Sequence, residues 1–481
     1  MKKKFYITTS IFYVNSVPHI GHALEMVQAD VLARYYRQLG DDVFFLTGAD
    51  EHGIKIVRTA EKTGKSVQAL IDENTAEFKR LTEVLNISND DFIRTSDSKR
   101  HWPSVYKIWD ILDSKGDIYK GKYEGLYCAG CEAYLNQSDL VDGKCPLHKK
   151  EPDVLEEENY FFKLSKYIPR VKEMIEKNEL GIVPEKRKKE ILGLIKQGVE
   201  DVSVSRPKEN LTWGIPVEKD DSQTIYVWFE ALCNYISALG YGGDEKNFDK
   251  YWPADIHCVG KDILRFHTLL WPAMLLAAEL PLPKKVFIHG YFTSEGQKMS
   301  KSIGNVVNPF DVVKKYGAEV VRYYVLREFS STEDGDFSAE RLKERYNADL
   351  ANGLGNLVSR VLTLAEKTGT IHESGIMNHE LEEEIKLTKE NYKKAIGEIK
   401  FNEALEAVWK LISVCDEYVE KNKPWELQKN DEKKFNEVIS DLLVSLKEIA
   451  ILLKPFMPET AEKILEQIEE NKKTEALFPR L

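Results

Sequence analysis

Between Phe5 and Leu85 the chain alternates two hydrophobic periods, and this alternation restricts the fold more than any other feature of the sequence. From Phe5 to Asn15 the residues are β-rich. Pro18 then opens a helix whose apolar positions include Ile20, Leu24, Val27, Val31 and Leu32, and Gly40 ends it. The short apolar run from Asp42 to Thr47 reads as a buried strand, and after a polar loop a second helical stretch spans Ser66 to Leu85. Strand, helix, strand, helix in this order predicts a doubly wound parallel sheet, whose strands are buried on both faces and need helices to cover them.

The pattern breaks near Gly116. Tyr119 to Leu164 is Gly-rich, Cys-bearing and acidic, and reads as an inserted domain ending near Val217; strand and helix then alternate again from Thr224 to Tyr291. Beyond Glu340 the periods lengthen, as in Leu342, Tyr346, Leu350, Leu354, Leu357 and Val361. Further helices around Phe401 to Val419 and Phe435 to Leu453, separated by Pro424 and Pro455, predict an α-helical bundle for the C-terminal third.

A chain of 481 residues is too long for one core, so two to four domains are expected. No membrane span appears, and the start lacks both a long apolar region and a cleavage site, so a cytoplasmic location is expected. Six cysteines are too few for a disulfide scaffold, and a reducing compartment fits. A net charge of −11 means that any nucleic-acid partner must be met by a local basic surface.

Two segments carry candidate phosphate chemistry. Pro18-His19-Ile20-Gly21-His22 sits where a strand hands over to a helix, a junction that presents unpaired N–H groups and a positive dipole end. His19 and His22 share one helical face and can donate to phosphate oxygens, while Gly21 lets an adenine ring approach the backbone. Taken alone, a histidine there is more often a cap or a packed side chain. Lys298-Met299-Ser300-Lys301-Ser302 lies between Gly296 and Gly304, so two lysines on a glycine-hinged loop can stabilise charge on a pyrophosphate leaving group. Taken alone, that loop is equally a solvated basic turn.

Together these segments resemble the paired HIGH and KMSKS signatures of the class I aminoacyl-tRNA synthetases. The resemblance implies a Rossmann-type sheet split by a connective insertion, and in-line attack of an amino-acid carboxylate on the α-phosphate of ATP-Mg²⁺, with His19, Gly21, His22, Lys298 and Lys301 at the ATP. Thr8-Thr9-Ser10-Ile11-Phe12-Tyr13-Val14-Asn15, Gly48-Ala49-Asp50-Glu51-His52-Gly53, Trp213 to Val217, Tyr226 to Leu232 and Val259 to His267 are similar to the methionine branch of that family. By that resemblance Asp50 takes the substrate ammonium, and Ile11, Tyr13, Trp228, Tyr235, Ile263, Phe266 and His267 wall the thioether, a polarizable group that gains from aromatic edges. Asp262 is expected at the ribose or adenylate. The chain departs from the family's usual wording at Ser10, where Pro is common, at Phe12, where Tyr is common, and at Glu230, where Asp is common.

Cys128-Ala129-Gly130-Cys131 and Cys145-Pro146-Leu147-His148 give C-x2-C followed by C-x2-H, a spacing that brings Cys128, Cys131, Cys145 and His148 to one tetrahedral point. One structural zinc per chain is expected, closed to substrate. Many members of the family carry Cys where His148 stands.

In the helical third, Asn356 and Arg360 lie four apart on one helix face, and Trp425 follows Pro424 at the end of another helix. The resemblance assigns these three to reading the anticodon of tRNA(Met), where bases are read by edge hydrogen bonds and aromatic stacking. The expected partners are ATP, L-methionine and tRNA(Met). The expected domains are 1–115 and 223–290 for the two halves of the catalytic sheet, 116–222 for the connective insertion, 291–340 for the KMSKS loop and stem-contact region, and 341–481 for the anticodon-binding bundle. Because Phe478-Pro479-Arg480-Leu481 stands where the bundle should end, a monomer is expected. A synthetase for isoleucine, leucine, valine or cysteine, a simpler nucleotidyltransferase and an inactive tRNA-binding paralogue remain open at this stage.

Overall fold

Asp91–Arg94, Asp42–Asp50, Lys4–Tyr13, Ile256–Gly260, Lys285–His289 and Gly181–Val183 form, in that spatial order, one parallel sheet. The computed structural model describes residues 2–135, 137–294, 297–298, 305–367 and 378–480. These fall into two units, one of Met1–Pro18, Tyr36–Glu83 and Ile87–His289, the other of His19–Tyr35, Val84–Asn86 and Gly290–Leu481.

The sheet belongs to the first unit. Its central strands Lys4–Tyr13 and Asp42–Asp50 are buried along most of their length, which is why Asp42 to Thr47 reads as an apolar run, whereas the edge strands Asp91–Arg94 and Gly181–Val183 bury one residue each. Lys4–Tyr13 pairs with Asp42–Asp50 from Lys4↔Asp42 to Thr8↔Leu46. A register shift between Thr8 and Ile11 follows, after which Ile11 faces Gly48 and Tyr13 faces Asp50. Ser10 therefore lies in a bulge, where ladder pairing is interrupted and the proline usual in the family would be tolerated. Phe12 is buried against Phe78, ring centroids 5.3 Å apart, an apolar seat for a ring without a hydroxyl.

Two features differ from the sequence reading. The edge strand Gly181–Val183 comes from within 116–222, so that segment is not wholly an insertion. At three residues the strand is too short to display a period. In place of the polar loop before Ser66 stands the helix Ile54–Thr63, which buries only Ile56 and Ala60; that stripe is too sparse to stand out among Lys55, Arg58, Glu61 and Lys62. The acidic, Cys-bearing stretch folds as an antiparallel sheet in which Ile118–Cys128 pairs with Asp153–Phe162 and, at its end, with Ala133–Leu135.

In the second unit the run from Ala339 to Ala365 is one continuous helical path, Ala339–Arg345, a π-helical Tyr346–Gly355, and Asn356–Ala365. Leu342, Tyr346, Leu350 and Leu354 recur every four residues, slower than the 3.6-residue α-turn, and the wider π-turn keeps them all buried on one side. The helices His379–Gly397, Phe401–Asn422, Glu432–Leu453 and Pro458–Glu469 complete the expected bundle. A fully buried pair, Arg322 to Asp30 at 2.7 Å, ties the helix Ile20–Gln38 into this unit, and the same guanidinium donates to the carbonyls of Leu85, Pro455 and Phe456. A buried cation with its donors met in this way is stable, whereas removing either partner costs about 3–5 kcal/mol. Among the described residues no helix is long and apolar enough to cross a membrane.

Candidate active site

Tyr13, Asp50 and Gly260 each end a strand of the parallel sheet, so they sit at its carboxyl edge, where open α/β sheets bind ligands. Asp50 is paired with Tyr13 in the ladder and is buried. Close packing sets this corner: a side chain at Gly48 would meet the Ile93 carbonyl at 2.4 Å and Ile11 Cγ2 at 2.8 Å. At Gly53 (φ 113°) an added Cβ would meet the Tyr13 hydroxyl at 2.5 Å. Burial pushes the Asp50 carboxyl well up, the Glu230 charge raises it further, and the His52 N–H, which donates to Oδ1 at 3.4 Å, works against the rise. A carboxylate so raised gains most by receiving a cation.

Glu230, itself fully buried, is held by two histidines. His52 Nδ1 lies 3.0 Å from Oε1 and His101 Nε2 2.8 Å from Oε2, with His101 Nδ1 2.9 Å from Ser237 Oγ. Burial would raise this carboxyl, but His52 and His101 outweigh it and hold Glu230 below the usual range. The extra methylene that distinguishes Glu230 from the common Asp thus carries the carboxylate to a histidine clamp.

The apolar residues expected around the thioether are half-buried and rest on one core: Ile11, Trp228, Ile263 and Phe266. Trp228 and Phe266 are stacked, with centroids 3.9 Å apart and planes 5° from parallel, and His267 meets the indole edge-on at 6.4 Å. His267 Nδ1 lies 3.0 Å from the Ile263 carbonyl and so carries the proton, leaving Nε2 to accept from the Tyr235 hydroxyl at 2.6 Å. Tyr235 and His267 are both buried, a backing layer rather than a lining. Asp262 is exposed and its Oδ1 folds toward Gly260, where an added Cβ would stand 2.8 Å from it.

The knuckle forms as expected. One ligand atom each from Cys128, Cys131, Cys145 and His148 lies within 4.8 Å of the others. Cys131 Sγ is 3.6 Å from Cys145 Sγ, and His148 Nδ1 is 3.7, 3.2 and 3.8 Å from the sulfurs of Cys128, Cys131 and Cys145. Tetrahedral zinc with bonds of about 2.0–2.3 Å needs ligand edges of about 3.5–3.8 Å, so the donor set and its spacing fit a zinc ion. Gly130 is required, since a Cβ there would stand 2.6 Å from the His148 ring.

In the second unit His19 precedes the helix Ile20–Gln38 and His22 lies in its first turn, their rings stacked 3.8 Å apart. The His19 N–H donates to His22 Nδ1 at 3.0 Å and the Gly21 N–H to His19 Nδ1 at 3.1 Å. Both Nδ1 atoms accept, so each neutral ring carries its proton on Nε2 as a donor. Gly21 makes room for the His19 ring, 2.9 Å from an added Cβ, a nearer demand than the approach of an adenine. The Ile20 N–H donates to the Val307 carbonyl at 3.1 Å, which joins the helix start to the segment after the lysine-bearing loop. Lys298 ends the strand Gln297–Lys298, its backbone paired with Thr293. Lys301 lies outside the described residues.

On the bundle, Asn356 is exposed at the start of its helix, and Leu357 and Val361 turn inward as expected. Arg360 pairs with Glu420 at 2.6 Å and Asp416 at 3.8 Å, and its guanidinium lies 5.9 Å from the ring of Trp425, which is 40% exposed. Lys423, at φ 45°, ends one helix and caps the next, so Trp425 stands in the first turn of Pro424–Asn430 and not at the end of a helix. His52 carries no assigned role in the sequence although it lies in the matched Gly48 to Gly53 segment, and His101 and Glu132 carry no signal of their own there. The two histidines meet Glu230 across 178 and 129 residues, which no local pattern reveals, whereas Glu132 directly follows the ligand Cys131.

The chain matches the family described as tRNA synthetases class I (M) over residues 5–151 and 136–362, and the anticodon-binding domain of tRNA ligase over 378–480. A methionine--tRNA ligase of Fusobacterium nucleatum is 44% identical over 97% of this chain and 75% of its own length, and one of Brucella suis is 42% identical over 97% and 92%. Among solved structures, Mycobacterium tuberculosis methionyl-tRNA synthetase in complex with methionyl-adenylate superposes with a TM-score of 0.94 at 35% identity, covering 99% of this chain and 100% of that one.

Proposed function

Because the chain belongs to the methionyl-tRNA synthetases, the methionine branch of class I, we propose a residue-level account of its reaction. The activity is methionine--tRNA ligation: methionine and ATP give methionyl-adenylate and pyrophosphate, and the methionyl group passes to tRNA. In the first step a methionine carboxylate oxygen bonds to the α-phosphorus while the bond to the β-phosphate oxygen breaks. In the second, a terminal tRNA hydroxyl attacks the acyl carbon and AMP leaves.

Asp50 receives the substrate ammonium, and Ile11, Tyr13, Trp228, Ile263 and Phe266 enclose the thioether, backed by Tyr235 and His267. The Nε2 donors of His19 and His22 meet phosphate oxygens, and Lys298 and Lys301 take charge developing on the pyrophosphate. Asp262 holds the ribose. Magnesium bound with ATP supplies further neutralisation of phosphate charge. Cys128, Cys131, Cys145 and His148 hold one structural zinc, and Asn356, Arg360 and Trp425 read the anticodon of tRNA(Met). We take the enzyme to be a cytoplasmic monomer whose six cysteines stay reduced, as their lack of disulfides allows.

The observation that carries this reading is the buried, raised Asp50 carboxyl in the unit that also holds the half-buried Trp228–Phe266 stack. The test is Asp50→Asn in methionine-dependent ATP–pyrophosphate exchange. The expected loss is about 10- to 100-fold in kcat/KM, the worth of one charge-assisted hydrogen bond. An unchanged kcat/KM contradicts the assignment.

A further inference from the structure

Glu132 follows a metal-ligand candidate, yet its side chain points away from the knuckle. It is 5% exposed. Its backbone stands at φ 51°, in the left-handed region that a glutamate rarely adopts, and that turn reverses the chain after Cys131. Oε1 accepts from the Tyr13 hydroxyl at 2.9 Å and from the Lys55 N–H at 2.7 Å, and Oε2 accepts from the Tyr127 hydroxyl. The Glu132 carbonyl accepts from the Tyr226 hydroxyl at 2.5 Å. One residue earlier, the Cys131 carbonyl lies 3.5 Å from Trp228 Nε1. Two aromatic residues of the methionine pocket, on different elements, therefore meet adjacent residues of the knuckle turn, Tyr13 at Glu132 and Trp228 at Cys131.

A knuckle that served only to fold its own loop would not need this. Tyr13 ends a central strand of the sheet and Lys55 lies in the first turn of the helix Ile54–Thr63 after Asp50, so one carboxylate spans both sides of the corner in which Asp50 lies. Space around it is short, since a Cβ at Gly53 would meet Glu132 Oε1 at 3.0 Å as well as the Tyr13 hydroxyl at 2.5 Å. The carboxylate cannot shift without moving the tyrosine.

We propose that Glu132 is a positioning residue for methionine, a strut through which the Cys128–Cys131 turn sets the Tyr13 side of the amino-acid pocket. The proposal rests on the pocket assignment above. It has a consequence for the metal: loss of the ion frees Cys131, releases the left-handed turn at Glu132 and reaches methionine through Tyr13, while ATP is unaffected.

The test compares Glu132→Ala, Glu132→Asp, Tyr13→Phe and the Glu132→Ala/Tyr13→Phe pair, with Trp228→Ala alongside as a control on the pocket. Methionine affinity is read from the change in tryptophan fluorescence on titration, and KM and kcat from pyrophosphate exchange. Zinc is read by elemental analysis. Glu132→Ala is expected to raise the methionine Kd and KM about tenfold, with kcat and the KM for ATP changed less than about threefold. Glu132→Asp should recover part of the loss, and the double variant should be no worse than the poorer single one, because both remove the same strut. An additive double variant overturns the proposal. So does an unchanged methionine Kd in Glu132→Ala while Trp228→Ala raises it. If Trp228→Ala is also silent, the pocket assignment fails and the strut falls with it. Should Glu132→Ala lose zinc, Tyr13→Phe with zinc in place decides: an unchanged Kd there refutes the strut, and a Kd raised to the same degree supports it.

Discussion

The indole of Trp228 lies flat on the ring of Phe266, 3.9 Å between centroids and 5° from parallel, while both remain half-buried at the edge of the core. Under the proposed assignment, two rings held in this way offer an apolar, polarizable wall to an unbranched thioether. Trp228→Ala is expected to weaken methionine binding by about 2 kcal/mol, roughly thirtyfold, from lost contact area and sulfur–aromatic attraction. It should also narrow the preference for methionine over leucine. Kd values for both amino acids check this, and an unchanged methionine Kd removes Trp228 from the pocket.

With Asp50 at the substrate ammonium, as proposed, methionine binding is expected to depend on pH. Burial, then the charge of Glu230, raise the Asp50 carboxyl well above the ordinary value, and only the ionised form can hold the ammonium. Methionine affinity is thus full at higher pH and is lost as pH falls through the raised value of Asp50, earlier than an ordinary carboxylate would allow. Glu230→Gln removes one of the raising charges, so the midpoint of this loss should move to lower pH. A profile of kcat/KM for methionine against pH measures it. An identical midpoint in the two proteins contradicts the coupling.

With Arg360 at the anticodon, as proposed, Asp416 is expected to compete with RNA for it. Burial raises its carboxyl to about 6, opposed by Arg360 and reinforced by Glu420. Above that pH the carboxylate is charged and adds to the pull of Glu420 on Arg360; below it the neutral carboxyl weakens that hold, while the Glu420 pair at 2.6 Å stays in place. The raised value also means that its contribution to stability is present in acid and lost as pH rises through about 6. Affinity for tRNA should therefore increase as pH drops through this range in the native chain and stay flat in Asp416→Asn. Equal pH dependence in both would show that Arg360 does not contact RNA. Trp425→Ala should lose about 1–3 kcal/mol of tRNA recognition, the worth of one stacked base, with methionine activation intact.

Removal of the metal by a chelator should open the knuckle without unfolding the sheet. Elemental analysis is expected to find about one zinc per chain, as four ligands at a tetrahedral point require. After chelation, limited proteolysis should cut within residues 128–148 while circular dichroism changes little. A metal-free chain that resists cleavage there would show that packing alone holds the turn.

Much of this architecture was legible because it is local. The C-x2-C and C-x2-H spacings brought Cys128, Cys131, Cys145 and His148 within 4.8 Å, and the apolar periods located the strands and the bundle helices. What escaped is long-range or short in span. The clamp of His52 and His101 on Glu230 and the pair of Asp30 with Arg322 join residues far apart in the chain, and neither partner looks unusual in its own neighbourhood. Gly181–Val183 is a strand only because Lys285–His289 offers it an edge. Glu132 was hidden by a turn whose positive φ no glycine announced.

The central claim, that this chain activates methionine in the pocket bounded by Asp50, Trp228 and Phe266, is tested most directly by ATP–pyrophosphate exchange with each of the twenty amino acids, run on the native chain and on Asp50→Asn. Exchange with methionine is expected well above that with every other amino acid in the native chain, and is expected to be lost in the variant. Exchange driven best by another amino acid, or methionine exchange that survives undiminished in Asp50→Asn, would contradict the claim.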